Sequence, residues 1–150
     1  MKYRLIYLFL ISFFLFATSS CNRTVRHDRK VFQYAMENLG IVVPADVHTF
    51  IFVTREGCSG CKHLTLLYAK QDNSDTVTFI TTHLLAADYN LPARDNIIID
   101  SSLLIERLNW SLHGIIEVRC QDGIVTFMDD YDARNIEKRF LPMISLQPDH

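Results

Sequence analysis

The chain has 150 residues, a formal net charge of −2 at pH 7 and 49% hydrophobic residues, which is one domain's worth of polypeptide. A charge this close to balance offers no electrostatic footprint for nucleic acid or for an acidic substrate. The hydrophobic fraction is inflated by the first segment, so the folding part is more ordinary than the total suggests.

That first segment reads as a signal for export. Lys2 and Arg4 are a positive start, Leu5 to Ala17 is apolar except for Ser12, and Thr18-Ser19-Ser20 are small residues before Cys21. The apolar run is shorter than the roughly 20 residues a spanning helix needs. A small-residue run ending in cysteine resembles the lipobox of bacterial lipoproteins, although Thr18 stands where that motif has Leu. Looser lipoboxes of this sort occur in Bacteroidota-like bacteria. The resemblance implies that Cys21 is acylated and becomes the mature N-terminus. Asn22 follows, not the Asp that retains lipoproteins at the inner membrane in enteric bacteria, and this directs the expectation to the outer membrane. The expected organisation is a signal peptide over 1–20, a tether over 21–29 and one domain over 30–150. Arg23, Arg26, Arg29 and Lys30 give the tether a basic character, suited to solvent or to anionic headgroups.

Within the domain, Asp28 is expected to cap a helix carrying Val31, Phe32, Ala35, Met36 and Leu39, with Gly40 as its stop. His48 to Val53 reads as a buried strand, Cys61 to about Gln71 as a helix, and Asp72-Asn73-Ser74-Asp75 as a turn. Thr76 to Thr81 is a second strand. Leu84 to Asp88 is one helical turn, and Asn96 to Ile99 is an apolar run ending at Asp100. Ser101 or Ser102 is expected to cap a short helix through Leu108. Ile115 to Cys120 and Ile124 to Met128 flank Asp122-Gly123, a hairpin signal. The acidic run Asp129-Asp130-Tyr131-Asp132 reads as a solvated turn, from which Asp132 starts a last helix with Ile136, Phe140 and Leu141 on its apolar side.

Cys58-Ser59-Gly60-Cys61 carries the chemistry. It follows the strand and opens the helix, so Cys58 is expected at a helix N-terminus. Unpaired amide hydrogens and the helix dipole stabilise a thiolate there, bringing it below the free value of about 8.5. Cys58 is then the nucleophile, and Cys61, one turn inward, the resolving thiol. With Cys21 lipidated, three of the four cysteines remain, a close pair and the lone Cys120. A structural disulfide framework tends to use an even set at longer spacings. Cys120, in a predicted central strand, reads as a small core residue. His48, His83 and His113 read as scattered structural or surface groups, and Trp110 as packing.

The element order, with this Cys pair at the first strand–helix junction, resembles the thioredoxin-like superfamily, closest to its exported, membrane-tethered TlpA-like branch. There an apolar run ending in Asp often precedes the hairpin, as Ile97-Ile98-Ile99-Asp100 does here. The resemblance covers the chain from about residue 30 onward. It implies a three-layer α/β fold with a central mixed sheet and a C-terminal hairpin. It also implies thiol–disulfide exchange on exported proteins, served by a membrane or periplasmic redox partner, with no bound cofactor. Three departures bear on substrate handling. No proline occupies the hairpin-strand start, where Ile115 aligns with the family's cis-proline. Gly57 replaces the usual aromatic before the first Cys. Phe52 stands where many members carry a buried carboxylate, so no proton acceptor for Cys61 is named, and Glu56 is expected to be exposed.

A rival reading is a non-catalytic binding module of a lipoprotein assembly, with the Cys pair structural or an inactive remnant. A metal or iron–sulfur site at the pair is a further alternative. Two thiolates are half a zinc site, and no second Cys pair or close His pair completes it. Haem attachment needs His directly after the second Cys, and Lys62 is there.

Overall fold

The computed structural model describes residues 25–144. The expected signal peptide over 1–20 and Cys21 lie outside the described residues. Helix α1 covers residues 25–39, followed by β1 (His48–Val53), α2 (Ser59–Gln71), β2 (Val77–Thr82), α3 (His83–Asp88) and β3 (Ile97–Asp100). Then come α4 (Leu104–Arg107), β4 (Ile115–Gln121), β5 (Ile124–Tyr131) and α5 (Ile136–Ile144). The strands form one five-stranded mixed sheet in the order β3-β2-β1-β4-β5. Strands β1, β2 and β3 are mutually parallel, and β4 runs antiparallel to both β1 and β5. The architecture is therefore α/β, a mixed sheet flanked by helices and closed by a hairpin.

The central strand explains the layering. A strand buried on both faces reads as a nearly continuous apolar run, as in His48–Val53, and successive side chains go to opposite faces. Phe50 and Phe52 join Phe32, Ala35 and Met36 of α1, together with Ile105 and Trp110, in one core. Phe52 lies edge-on to Phe32 (ring centroids 6.1 Å apart) and beside Trp110 (5.3 Å). Ile51 and Val53 face the other core, with Cys61, Leu66 and Ala69 of α2 and Ile136 and Phe140 of α5. The hairpin turns on Asp122 (φ 53°) and Gly123 (φ 72°), both left-handed, as a two-residue turn of this kind requires.

Four local expectations need correction. Helix α1 is already formed at residue 25, inside the stretch read as tether, and Asp28 is not its cap. Asp28 is buried within the helix and accepts hydrogen bonds from Ser111 N (2.8 Å) and from the Ser111 hydroxyl. In the same turn, His27 Nε2 lies 2.6 Å from Asn109 O. These partners sit more than 80 positions away, beyond the reach of local periodicity. Next, Ile97–Asp100 is an edge strand parallel to β2, not merely an apolar run. The carboxylate of Asp100, not Ser101 or Ser102, closes the start of α4, accepting from Ser102 N (2.9 Å), Ser102 Oγ (2.6 Å) and Ile105 N (2.9 Å).

The acidic run also differs. Asp129, Asp130 and Tyr131 belong to β5, paired with Glu117, Ile116 and Ile115. Helix α5 starts at Ile136. Asp132 holds the preceding turn, accepting from Arg134 N (2.8 Å) and Asn135 N (3.2 Å). The side chain of Leu141 lies outside those described. Among the described residues no helix is long and apolar enough to cross a membrane.

Candidate functional site

Between β1 and α2 the chain crosses residues 54–58 and is fastened to the residue before β4. Thr54 donates to Gly114 O twice, from its backbone N and from its hydroxyl, each at 2.9 Å. Gly57 (φ +81°) and Gly114 (φ +78°) then pack backbone against backbone. A Cβ on Gly57 would stand 3.0 Å from Gly114 Cα, and one on Gly114 would meet Glu56 O and Gly57 Cα at 3.3 Å. Both positions demand glycine, for the left-handed φ and for the missing side chain.

This fastening delivers Cys58 to the N-cap of α2. Its backbone is extended (φ −67°, ψ 120°), and its Sγ accepts from Cys61 N at 3.1 Å. Its carbonyl receives Lys62 N at 3.1 Å, the first bond of the helix. Cys58 and Cys61 form a disulfide with Cα atoms 5.2 Å apart. The two sulfurs differ in access. Cys58 is half-buried, while Cys61 is 1% exposed, packed among Ile51, Val53, Leu66 and Ile115. A sulfur at a helix start that receives an amide hydrogen is placed to carry negative charge, because α-helices leave their first N–H groups without intrahelical partners.

The neighbours of the pair are arranged as follows. The Lys62 ammonium donates to Arg55 O, and the ring of His63 stands 5.8 Å from that of Tyr89. Glu56 is exposed, with its carboxylate 3.7 Å from His113 Nδ1. Ile115 is buried in the same core as Cys61, and among the described residues no peptide bond is cis. Among the described residues no group of three or more His, Cys, Asp or Glu side chains gathers as a metal site would require.

Sequence reasoning looked for a buried carboxylate at position 52, but Phe52 faces the core of α1, away from Cys61. A fully buried carboxylate does stand on β4, at Glu117, opposite Ile51 in the register and two residues along from Ile115. It pairs with Arg119 and, from the other side, with Arg139, whose Nε lies 3.4 Å from Oε2. Arg139 Nη2 donates to Oε1 at 3.5 Å, whereas the Nε–Oε2 contact is close enough for charge attraction but lacks hydrogen-bond geometry, so Oε2 and Arg139 Nε are each without a hydrogen-bond partner. The signal was present: a Glu flanked by Ile116 and Val118 and in phase with Ile115.

The bystanders fall where the sequence put them. Cys120 is fully buried on the opposite face from the disulfide, and burial pushes its thiol up to about 11. Trp110 packs against Phe52. Buried His48 shares a hydrogen bond with Thr78 Oγ1 (2.9 Å), and burial lowers its pKa below 6.5 against the opposing pull of Asp75. No protein-family model, curated protein or solved structure matches this chain.

Proposed function

We propose that this protein is a thioredoxin-like thiol–disulfide exchange protein acting on exported polypeptides. In this reading it is anchored through an acylated Cys21 in the cell envelope, at the outer membrane and facing the periplasm. The observation that carries the reading is the unequal placement of the two sulfurs: Cys58 half-exposed at the N-cap of α2 with an amide hydrogen directed at it, Cys61 buried one turn inward. The strand order, the hairpin and the strand–Cys pair–helix junction support the thioredoxin-like assignment.

In the reduced protein the Cys58 thiolate attacks one sulfur of a substrate disulfide. The substrate's other sulfur leaves as a thiolate and takes up a proton. The Cys61 thiolate then attacks Cys58 Sγ and releases the second substrate sulfur, so the substrate gains two electrons and the pair is oxidised. A dithiol redox partner resets the pair. The same steps in reverse oxidise a substrate dithiol.

One observation favours the rival reading of a non-catalytic binding module. The carbonyl of Gly114, the residue before β4, is already occupied by both donors of Thr54. The two readings separate on the chemistry of the pair. Exchange predicts a reduction potential more oxidising than about −300 mV and a Cys58 thiol ionising below about 8.5. It also predicts mixed disulfides accumulating on the Cys61→Ser variant and not on Cys58→Ser. An inert, deeply reducing disulfide that traps nothing overturns the proposal in favour of the scaffold.

A further inference from the structure

Helix α1 carries its charge unevenly. Arg26, Arg29 and Lys30 are exposed on its first two turns, outside the face that buries Phe32, Ala35 and Met36. Residues three and four apart on a helix are neighbours, so these cations form one patch, with Arg23 just ahead of it in the sequence. Among the described residues none of the three has an ion-pair partner. Helix stability does not call for them either, because a cation in the first turn, where Arg26 stands, opposes the helix dipole. The only acid over residues 25–36 is Asp28, which is buried and bonded to Ser111. The other end of the helix is acidic. Exposed Glu37 lines a groove with Gly123 and Ile124 of the hairpin turn. Asp122, exposed in that turn, donates its backbone N–H to Ala45 O, next to exposed Asp46.

The register fixes which end of the sheet is basic. The first turns of α1 are bonded to Asn109 and Ser111, just before β4, and β4 begins with Ile115 opposite Val53, the last residue of β1. Cys58 follows that end of β1, while the hairpin turn lies at the other. We propose that the first two turns of α1 are a docking face for a bilayer containing anionic phospholipid, which sets the domain down with its Cys58 end toward the headgroups and its acidic hairpin end turned away. The proposal rests on the anchoring half of the proposed function: Val25 is the fourth residue after Cys21, so an acylated Cys21 delivers this patch to the surface. Each basic side chain at an anionic surface strengthens partitioning about fivefold, so the three together supply about a hundredfold.

The test reconstitutes the full chain in vesicles of phosphatidylcholine alone or with about 30% phosphatidylglycerol, a strongly anionic surface. A membrane-impermeant acetylating reagent labels exposed lysines, and mass analysis gives the labelling rate of Lys30 relative to exposed Lys138 on α5, a helix packed on the opposite face of the sheet. The ratio is expected to fall at least about fivefold on the anionic vesicles and to recover in 1 M NaCl, where the Debye length is about 3 Å. In the Arg26→Gln/Arg29→Gln variant, whose replaced side chains are exposed, the two lipids are expected to agree within about twofold. Equal ratios on the two lipids, or a difference that survives in the double variant, overturn the docking face. Protection that grows with protein concentration and ignores lipid charge overturns it too and assigns the face to a second copy of the chain. A chain that stays with both kinds of vesicle through a high-salt wash yet shows equal ratios leaves the anchoring standing and overturns the docking alone.

Discussion

Replacing Gly57 by Ala tests the fastening that places Cys58. At φ +81° any residue with a Cβ costs about 1–2 kcal/mol of backbone strain. The added carbon would also stand 3.0 Å from Gly114 Cα, an atom of the main chain that cannot swing aside. Overpacking of that kind costs roughly 1–3 kcal/mol more. Gly40 supplies the control, since its φ is +68° but nothing lies within 4 Å of a Cβ built there. Gly40→Ala is therefore expected to lose only the ~1–2 kcal/mol of strain, and Gly57→Ala ~2–5 kcal/mol. Denaturant unfolding followed by Trp110 emission gives both values on one signal, and an unchanged slope shows that the unfolded reference is the same. At about 2–4 °C per kcal/mol for a chain of this size, the two variants also separate by several degrees in melting temperature. Equal losses in the two variants, or a loss under ~1 kcal/mol for Gly57→Ala, would refute the argument from close approach.

The other predictions concern buried groups. Asp28→Ala removes the acceptor for Ser111 N and Oγ and is expected to cost about 2–4 kcal/mol in a thermal or denaturant melt; a loss below ~1 kcal/mol would mean that α1 is held by its apolar face alone. Cys120, its thiol pushed up to about 11, is expected to resist alkylation at pH 8 in the folded protein and to react on unfolding, as mass analysis of its peptide reports; labelling at the same rate in both states refutes its burial. His48 makes stability depend on pH with a definite sign. Above pH 6.5 the ring is neutral in both folded and unfolded chains. Below it the unfolded chain takes up a proton that the buried ring resists, so stability falls as pH drops from 6.5 through the lowered folded value. In a His48→Gln variant the denaturation midpoint is expected to change less between pH 7.5 and 5, and an unaltered slope contradicts the assignment.

Where the pattern was dense and local, the sequence was readable. The β-branched and aromatic run of His48–Val53 and the Asp122-Gly123 turn could be placed because strand composition and turn chemistry act within a few residues. The Cys pair at a helix start followed from the same logic. The misses have other causes. The turn of α1 at His27 and Asp28 depends on Asn109 and Ser111, so long-range hydrogen bonds override the local signal at Asp28, while at α4 the bonds are local but come from Asp100, the last residue of β3, and not from Ser101. Strand β3 is short and lies at an edge, leaving too few residues for a period to show. Glu117 was overlooked because the carboxylate was sought on β1, whereas strand pairing places one on β4, opposite Ile51. The paired glycines at 57 and 114 carry no joint signal at all, since only the folded chain brings them together.

Under the proposed anchoring at Cys21, the onset of α1 by residue 25 would limit how far the Cys58–Cys61 pair can travel from the bilayer. A leash running from an acylated Cys21 to residue 30 would pay out about 30 Å of extended polypeptide, but one that ends at residue 25 allows only about 14 Å. With its leading turn buttoned to Asn109 and Ser111, the body would ride close above the headgroups instead of sweeping a wide volume. Clients would then have to arrive at the bilayer surface to meet it, and lengthening the stretch before Val25 with a flexible insert is the direct way to widen its reach.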